Sequence, residues 1–268
     1  MFFEDKIVLE TGLPRTLLLK EWKLLQFLSY FDNACLSSKI EYSLFGGTAI
    51  NKAYLGKAQR FSEDLDVHVF CSFEKASMIV KSLEAERVTG PSRIFRDFYR
   101  WELHYSDSES GVADDYMSID VMLLERKLTE TTRVRLHSFL EDAGRSFSIT
   151  ASTFTYPPET LIALKLLALQ SRAQGKDYYD LYYLLSSVEF ERSKVLMEVH
   201  KYKSSLFDFQ TVDRNFFEQC VKKVRLAEEH ELEAADAYIL ADKKPDWTAL
   251  KKDLARLLKL KLMKTQHS

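Results

Sequence analysis

Apolar and polar residues alternate with period two over Asp64–Val69 (DLDVHV). Leu65, Val67 and Val69 fall on one side, and Asp64, Asp66 and His68 on the other, as in a half-buried strand. Tyr116–Leu124 (YMSIDVMLL) repeats the pattern, with Ile119, Val121 and Leu123 opposite Ser118, Asp120 and Met122. WELHY also alternates, which makes Trp101 and Tyr105 core residues of a strand. The short run Glu41–Phe45 reads as a strand that ends in Gly46-Gly47. Elsewhere the period is helical. Residues 1–40 read as helix, with Pro14 suited to a first turn and Leu18, Trp22, Leu25 and Leu28 at helical spacing. Phe73–Glu86 reads as a helix with Ala76, Ile79, Val80 and Leu83 on its apolar side. Ser106–Asp115, acidic and small with a glycine, reads as a loop or hairpin connection that holds Asp114 and Asp115.

Pro157-Pro158 punctuates the chain and marks a boundary between a domain over 1–155 and one over 156–268. Beyond it nearly everything reads as helix. Glu159–Arg172 carries Leu161, Leu164, Ala168 and Leu169 on its apolar side. Lys165 and Arg172, seven residues apart, share a face two turns apart. Gln174-Gly175-Lys176 is a break, and a second helix follows with Asp177 placed to cap it and Asp180 its neighbour. Trp247–Lys264 is amphipathic, with Leu250, Leu254, Leu257 and Leu258 against a basic face.

Composition narrows the classes. A chain of 268 residues with 46% hydrophobic and 13% aromatic content supports a packed core and excludes a disordered chain. The net charge of −2 leaves any nucleic-acid surface to local patches. Two are candidates. Arg93, Arg96 and Arg100 interleave with Phe95, Phe98, Tyr99 and Trp101, a pattern suited either to phosphates and bases or to an ordinary strand. Arg126, Lys127, Arg133 and Arg135 form a second, modest cluster. Cys35, Cys71 and Cys220 match neither a disulfide framework nor a zinc motif. No apolar run is long enough for a membrane span, and MFFEDKIVLE lacks a signal-peptide pattern, so a cytoplasmic protein is expected.

The chemistry concentrates in Phe45–Phe70. A strand, a glycine pair and a helix N-terminus together make an anion site: glycine lets the backbone approach, and first-turn N–H groups point outward. Thr48 is placed to cap that helix, and Ser62 to donate to a phosphate. Asp64 and Asp66 put two carboxylates on one strand face, where like charges repel unless a cation is present. Hard oxygen ligands of this kind suit Mg²⁺ shared with substrate phosphates.

GGT followed by RFSEDLDVHV resembles the nucleotidyltransferase (DNA polymerase β-like) superfamily. Thr160–Leu185 (TLIALKLLALQSRAQGKDYYDLYYLL) is similar to the second conserved region of the AbiEii/AbiGii toxin-type nucleotidyltransferases. The resemblance implies an α+β chain: an N-terminal nucleotidyltransferase-fold mixed sheet flanked by helices, then a C-terminal helical bundle that completes the active site. It implies metal-dependent transfer of a nucleoside monophosphate from an NTP to an acceptor. Asp64, Asp66 and a third carboxylate, for which Asp120 is the candidate, would hold Mg²⁺ or Mn²⁺. Gly46, Gly47, Thr48 and Ser62 would hold the phosphates. Lys165 would neutralise triphosphate charge, and Asp180 would orient it or help deprotonate the acceptor. The family suggests RNA, especially a tRNA 3′ end, as acceptor, and a toxin with a cognate antitoxin. The residues fit equally an AMPylation-like transfer to a protein hydroxyl. A sugar-nucleotide glycosyltransferase would also use the DxD pair, and a non-enzymatic nucleotide- or partner-binding module would keep the same fold.

Overall fold

The computed structural model describes residues 5–108, 111–142, 151–172, 174–206 and 214–263. The chain divides into two compact units, one over Met1–Tyr156 with Leu240–Asp242, the other over Pro157–Ile239 with Lys243–Ser268.

In the first unit the elements run α1 (Asp5–Thr11), α2 (Arg15–Ser37), β1 (Tyr42–Phe45), α3 (Gly46–Ala53), β2 (Leu65–Val69), α4 (Phe73–Lys81), β3 (Arg87–Phe95), β4 (Phe98–Asp107), β5 (Val112–Leu123), β6 (Thr132–Arg135), α5 (Phe139–Asp142) and β7 (Ser152–Thr155). The strands form one mixed sheet in the order β3-β4-β5-β2-β1-β7-β6. β2 pairs in parallel with β5 and antiparallel with β1, and β4 is antiparallel to both β3 and β5. The alternation predicts the core side correctly: Leu65, Val67, Ile119, Val121, Trp101 and Tyr105 are all buried.

Helix α2 buries Leu18, Leu25 and Leu28 as its period requires, but Trp22 is only half-buried. The neighbouring Glu21 takes the interior position instead, because a partner awaits it on α3. Lys52 Nζ lies 2.5 Å from Glu21 Oε1, with both side chains wholly buried. Ser138 Oγ donates to the same Glu21 oxygen at 2.6 Å, and Lys52 donates to Gln59 Oε1 at 3.0 Å. Two charges taken out of water need such additional hydrogen bonds to offset their desolvation. Burial pulls the Lys52 ammonium below its ordinary value, against the opposing pull of Glu21. The network fastens α3, the helix that opens at the glycine pair, to α2.

Two expectations need correction. Helix α4 ends at Lys81, not Glu86: the Ser82 hydroxyl bonds the Ile79 carbonyl at 2.8 Å, and the chain turns into β3 at Arg87. The Ser106–Asp115 stretch is mostly strand, since β4 runs to Asp107 and β5 begins at Val112. Asp115 therefore stands on a strand and accepts the Tyr105 hydroxyl at 2.7 Å, while Asp114 lies 3.2 Å from His104 Nδ1. Three of the basic residues around β6 are paired with carboxylates. Arg133 holds Asp32 through two bonds of 3.0 and 2.6 Å, Arg135 faces Glu141, and Lys127 faces Glu130 and Glu41. Residues 143–150 of that stretch lie outside the described residues.

The second unit is helical: α6 (Pro158–Ser171), α7 (Gly175–Ser187), α8 (Arg192–Leu206), α9 (Arg214–Leu226), α10 (Glu229–Glu233) and α11 (Trp247–Leu257). Helix α6 is its central member. Leu161, Ile162, Ala163, Leu166, Leu167 and Leu169 are buried, a wider face than the expected stripe, and Leu164 and Ala168 lie at its margin. Helix α11 buries Leu250 and Leu254, is capped by Asp246 accepting from the Ala249 N–H, and passes into a π-helical turn over Leu258–Met263. Lys264, expected at the end of this helix, lies outside the described residues. Cys35, Cys71 and Cys220 are free thiols. Among the described residues, no helix is long and apolar enough to cross a membrane.

Candidate active site

The first unit builds its polar site on the edge where β1 enters α3. Phe45 has extended backbone and occupies the helix N-cap, and Gly46 follows with φ of +71°, a left-handed conformation that favours glycine. A Cβ on Gly46 would lie 2.0 Å from Asp66 Oδ2, so the carboxylate packs directly against the glycine. A Cβ on Gly47 would lie 2.9 Å from Arg60 Nη2 and 3.0 Å from Ser62 Oγ. Both glycines lie against side chains of the RFSEDLD segment, and at Gly46 the positive φ and the approach of Asp66 to 2.0 Å from the Cβ position make glycine necessary. The register explains the contact: Phe45 on β1 lies opposite Asp66 on β2.

Thr48 does not cap the helix. It sits inside the first turn, fully buried, with its hydroxyl donating to the Asp64 carbonyl at 2.6 Å and lying 3.0 Å from Ser62 Oγ. Asn51 makes a second strap, donating to the Gly47 carbonyl and accepting from the Arg60 N–H, both at 2.8 Å. These bonds hold the long Gly47–Asp64 connection, with its 3₁₀ turn at Gly56–Ala58, against α3.

Asp64 immediately precedes β2 and Asp66 lies within it, both half-buried. Asp66 is in register with Asp120 on β5, and Asp120 with Arg100 on β4. Directly opposed residues on neighbouring strands share a face, so Arg100, Asp120 and Asp66 form a row across three strands. Arg100 grips Asp120 bidentately: Nε lies 2.7 Å from Oδ1 and Nη2 2.6 Å from Oδ2. The hydrogen bonds to Asp120 raise the guanidinium above its ordinary value, and the charges of Asp120, Asp64 and Asp66 add to that against the cost of burial. All three carboxylates thus act on one arginine.

His68, two residues beyond Asp66, ends the polar face. It is buried, its ring centroid lies 4.1 Å from that of Phe45, and Nδ1 lies 2.8 Å from the Tyr156 hydroxyl. Burial pushes the imidazole down to about 3, so it is neutral at physiological pH.

The donor chemistry can be tested against the expected metal. Asp64 and Asp66 beside a glycine anion turn are hard oxygen donors of the type that hold Mg²⁺ together with substrate phosphates. The third expected carboxylate, Asp120, is paired through both oxygens with Arg100. Among the described residues, no group of three or more His, Cys, Asp or Glu side chains is arranged to hold an ion.

The remaining expected site residues belong to the second unit. Lys165 Nζ lies 2.8 Å from Asp177 Oδ1 and 2.9 Å from Asp180 Oδ2, and all three side chains are buried. Arg172 adds two bonds to Asp177, at 2.9 and 3.2 Å. Asp177 is not the helix cap: α7 begins at Gly175, with Gln174 in the cap position. Burial alone would raise the Asp177 carboxyl, but Lys165 and Arg172 outweigh it and hold it at about 2. Asp180 contacts the Lys165 ammonium directly, as an orienting role would require.

Arg60 and Asn51 were not legible as site residues, and Arg100 was legible only as part of a possible nucleic-acid surface, not as the partner of Asp120. Arg60 lies in the motif segment, but its approach to Gly47 depends on a turn that polarity does not encode. Arg100 reaches Asp120 through strand pairing twenty positions away.

The family profile described as "Nucleotidyl transferase AbiEii toxin, Type IV TA system" matches residues 34–264. No match to a curated protein sequence was found. Among solved structures, the fold is similar to that of MenT4, a nucleotidyltransferase toxin from Mycobacterium tuberculosis H37Rv. The TM-score is 0.60 at 16% identity, over 89% of this chain and 84% of that one. The profile covers both motif regions, the glycine turn with its aspartates and the Lys165 helix pair, and the chain belongs to the AbiEii nucleotidyltransferase toxin family of type IV toxin–antitoxin systems.

Proposed function

We propose that this nucleotidyltransferase transfers a nucleoside monophosphate from an NTP to the 3′ hydroxyl of an RNA, with tRNA as the acceptor class. The observation that carries the assignment of the site is the contact of Asp66 with Gly46. It sets the glycine turn directly against the second carboxylate of the DxD pair. The Gly46-Gly47 backbone would hold the phosphates, with Ser62 beside Gly47 as a hydroxyl donor. Thr48, whose hydroxyl is committed to the Asp64 carbonyl, acts by holding the aspartate segment in place. Asp64 and Asp66, with Asp120, would hold Mg²⁺ or Mn²⁺. When bound, that ion supplies charge stabilisation on the phosphoryl oxygens and lowers the pKa of the attacking hydroxyl. The acceptor oxygen attacks the α-phosphorus, the bond to the bridging oxygen breaks, and pyrophosphate leaves. Lys165, held by Asp177 and Asp180, would neutralise triphosphate charge. The partner implied by the toxin family is an antitoxin; the acceptor is inferred from the resemblance.

The test is transfer of labelled NMP from each NTP to total tRNA, with half of the RNA first oxidised by periodate. Oxidation destroys the terminal diol, so label should appear on untreated RNA and fall to background on oxidised RNA. Equal labelling of both would place the acceptor hydroxyl elsewhere, and label on protein instead would replace RNA as the acceptor.

A further inference from the structure

We propose that Arg100 is a displaceable counter-ion of the carboxylate site, holding Asp120 until a divalent cation takes it, so that the arginine sets the threshold for metal loading. The proposal rests on the reading of Asp64, Asp66 and Asp120 as the metal-holding group. It starts from the row of in-register residues Arg100, Asp120 and Asp66 on β4, β5 and β2. Arg100 makes both of its short bonds to Asp120, and those bonds use both carboxylate oxygens. A cation that binds Asp120 therefore competes with the guanidinium for the same two oxygens.

The burial is asymmetric. The Asp120 side chain is 6% exposed, whereas that of Arg100 is 43% exposed. A half-exposed guanidinium can swing into water at little cost. A buried carboxylate cannot lose its counter-charge without another arriving. Release of the arginine and arrival of the cation are therefore one exchange, not two independent events. Asp64 and Asp66 also act on Arg100, so the same cation relieves their repulsion as the guanidinium leaves. Released from Asp120, a planar guanidinium is suited to bidentate contact with phosphate oxygens, and an incoming triphosphate would favour the exchange.

Divalent-ion binding can be read without turnover, by the electron paramagnetic resonance signal of unbound Mn²⁺ titrated against the whole chain, with no nucleotide present. Arg100→Ala should bind Mn²⁺ at least about tenfold more tightly than the native chain, the size of a one-unit electrostatic interaction. Arg100→Lys, which keeps the charge but loses the fork, should fall between the two. Should the alanine variant fail to fold, the lysine variant carries the test alone: tighter binding than native supports the exchange, unchanged or weaker binding overturns it. Asp64→Ala, Asp66→Ala separates this claim from the underlying reading. If Mn²⁺ binds the native chain, is lost in the double aspartate variant and is unaffected by either Arg100 substitution, the metal group stands and the counter-ion exchange is wrong. If the native chain and the Arg100 variants bind no Mn²⁺ that depends on Asp64 and Asp66, the metal group itself is wrong.

Discussion

A methyl group on Gly46 would sit 2.0 Å from Asp66 Oδ2, at a φ of +71° that disfavours any side chain. The glycine is needed to let the carboxylate approach the turn. Gly46→Ala should displace Asp66 and lower transfer about a hundredfold, the cost of misplacing a reacting group by about an ångström, while the variant still folds cooperatively. Steady-state transfer rates beside a thermal melt would check this; near-native transfer would show that Asp66 need not stay against the turn. At this scale the common side of Asp64 and Asp66, and the side of Asp120 on its own strand, were readable from period-two alternation, because a strand's two faces are written in its own sequence; Asp120 as third carboxylate came from the family resemblance. The surroundings of these aspartates were not readable. Arg100 belongs to the row only through cross-strand register, and Thr48 looked like a helix cap because its hydroxyl partner, the Asp64 carbonyl, is sixteen residues away.

Among the elements, α6 and α7 are locked by a buried ionic cluster rather than by apolar contact alone. Lys165 and Arg172 come from α6 and the turn that follows it; Asp177 and Asp180 come from α7. The Asp177 carboxyl is held at about 2, below its ordinary 3.8. A carboxyl with a depressed folded-state pKa stabilises fully above its unfolded value and loses that contribution as pH falls through the folded one. The native chain should therefore lose stability as pH falls from about 4 towards 2. Asp177→Asn should cost about 3 kcal/mol at pH 7, since it leaves Lys165 with one carboxylate fewer in a buried setting, and should flatten that part of the acid limb. Urea melts at pH 7 and pH 3 would measure both; an unchanged acid limb would show that the pairing adds little. The helix pair was visible in the sequence, but Arg172 lies beyond the end of α6 in extended backbone and not on a helix face shared with Lys165. That the lysine is buried was not visible, because a charged residue on an apolar helix reads as surface until its partner is known. The same applies to Glu21, whose burial instead of Trp22 depends on Lys52 in another helix.

At the scale of the molecule, the two motif regions fall in different compact units, the glycine turn and its aspartates in the first and the lysine cluster in the second. The helical set beyond Pro157-Pro158 was legible from the period, and the mixed sheet before it was implied by the family resemblance. Strand order was not, since it brings β2 between β1 and β5 across more than fifty residues of chain. The central claim is that Asp64 and Asp66, set against the glycine turn, drive nucleotidyl transfer. The most direct measurement follows pyrophosphate release and label on total tRNA for each NTP with Mg²⁺, for the native chain beside the Asp64→Ala, Asp66→Ala variant. The account predicts stoichiometric pyrophosphate and RNA label with at least one NTP, both abolished in the double variant. Equal labelling by the variant, or neither product with any of the four NTPs, would contradict it.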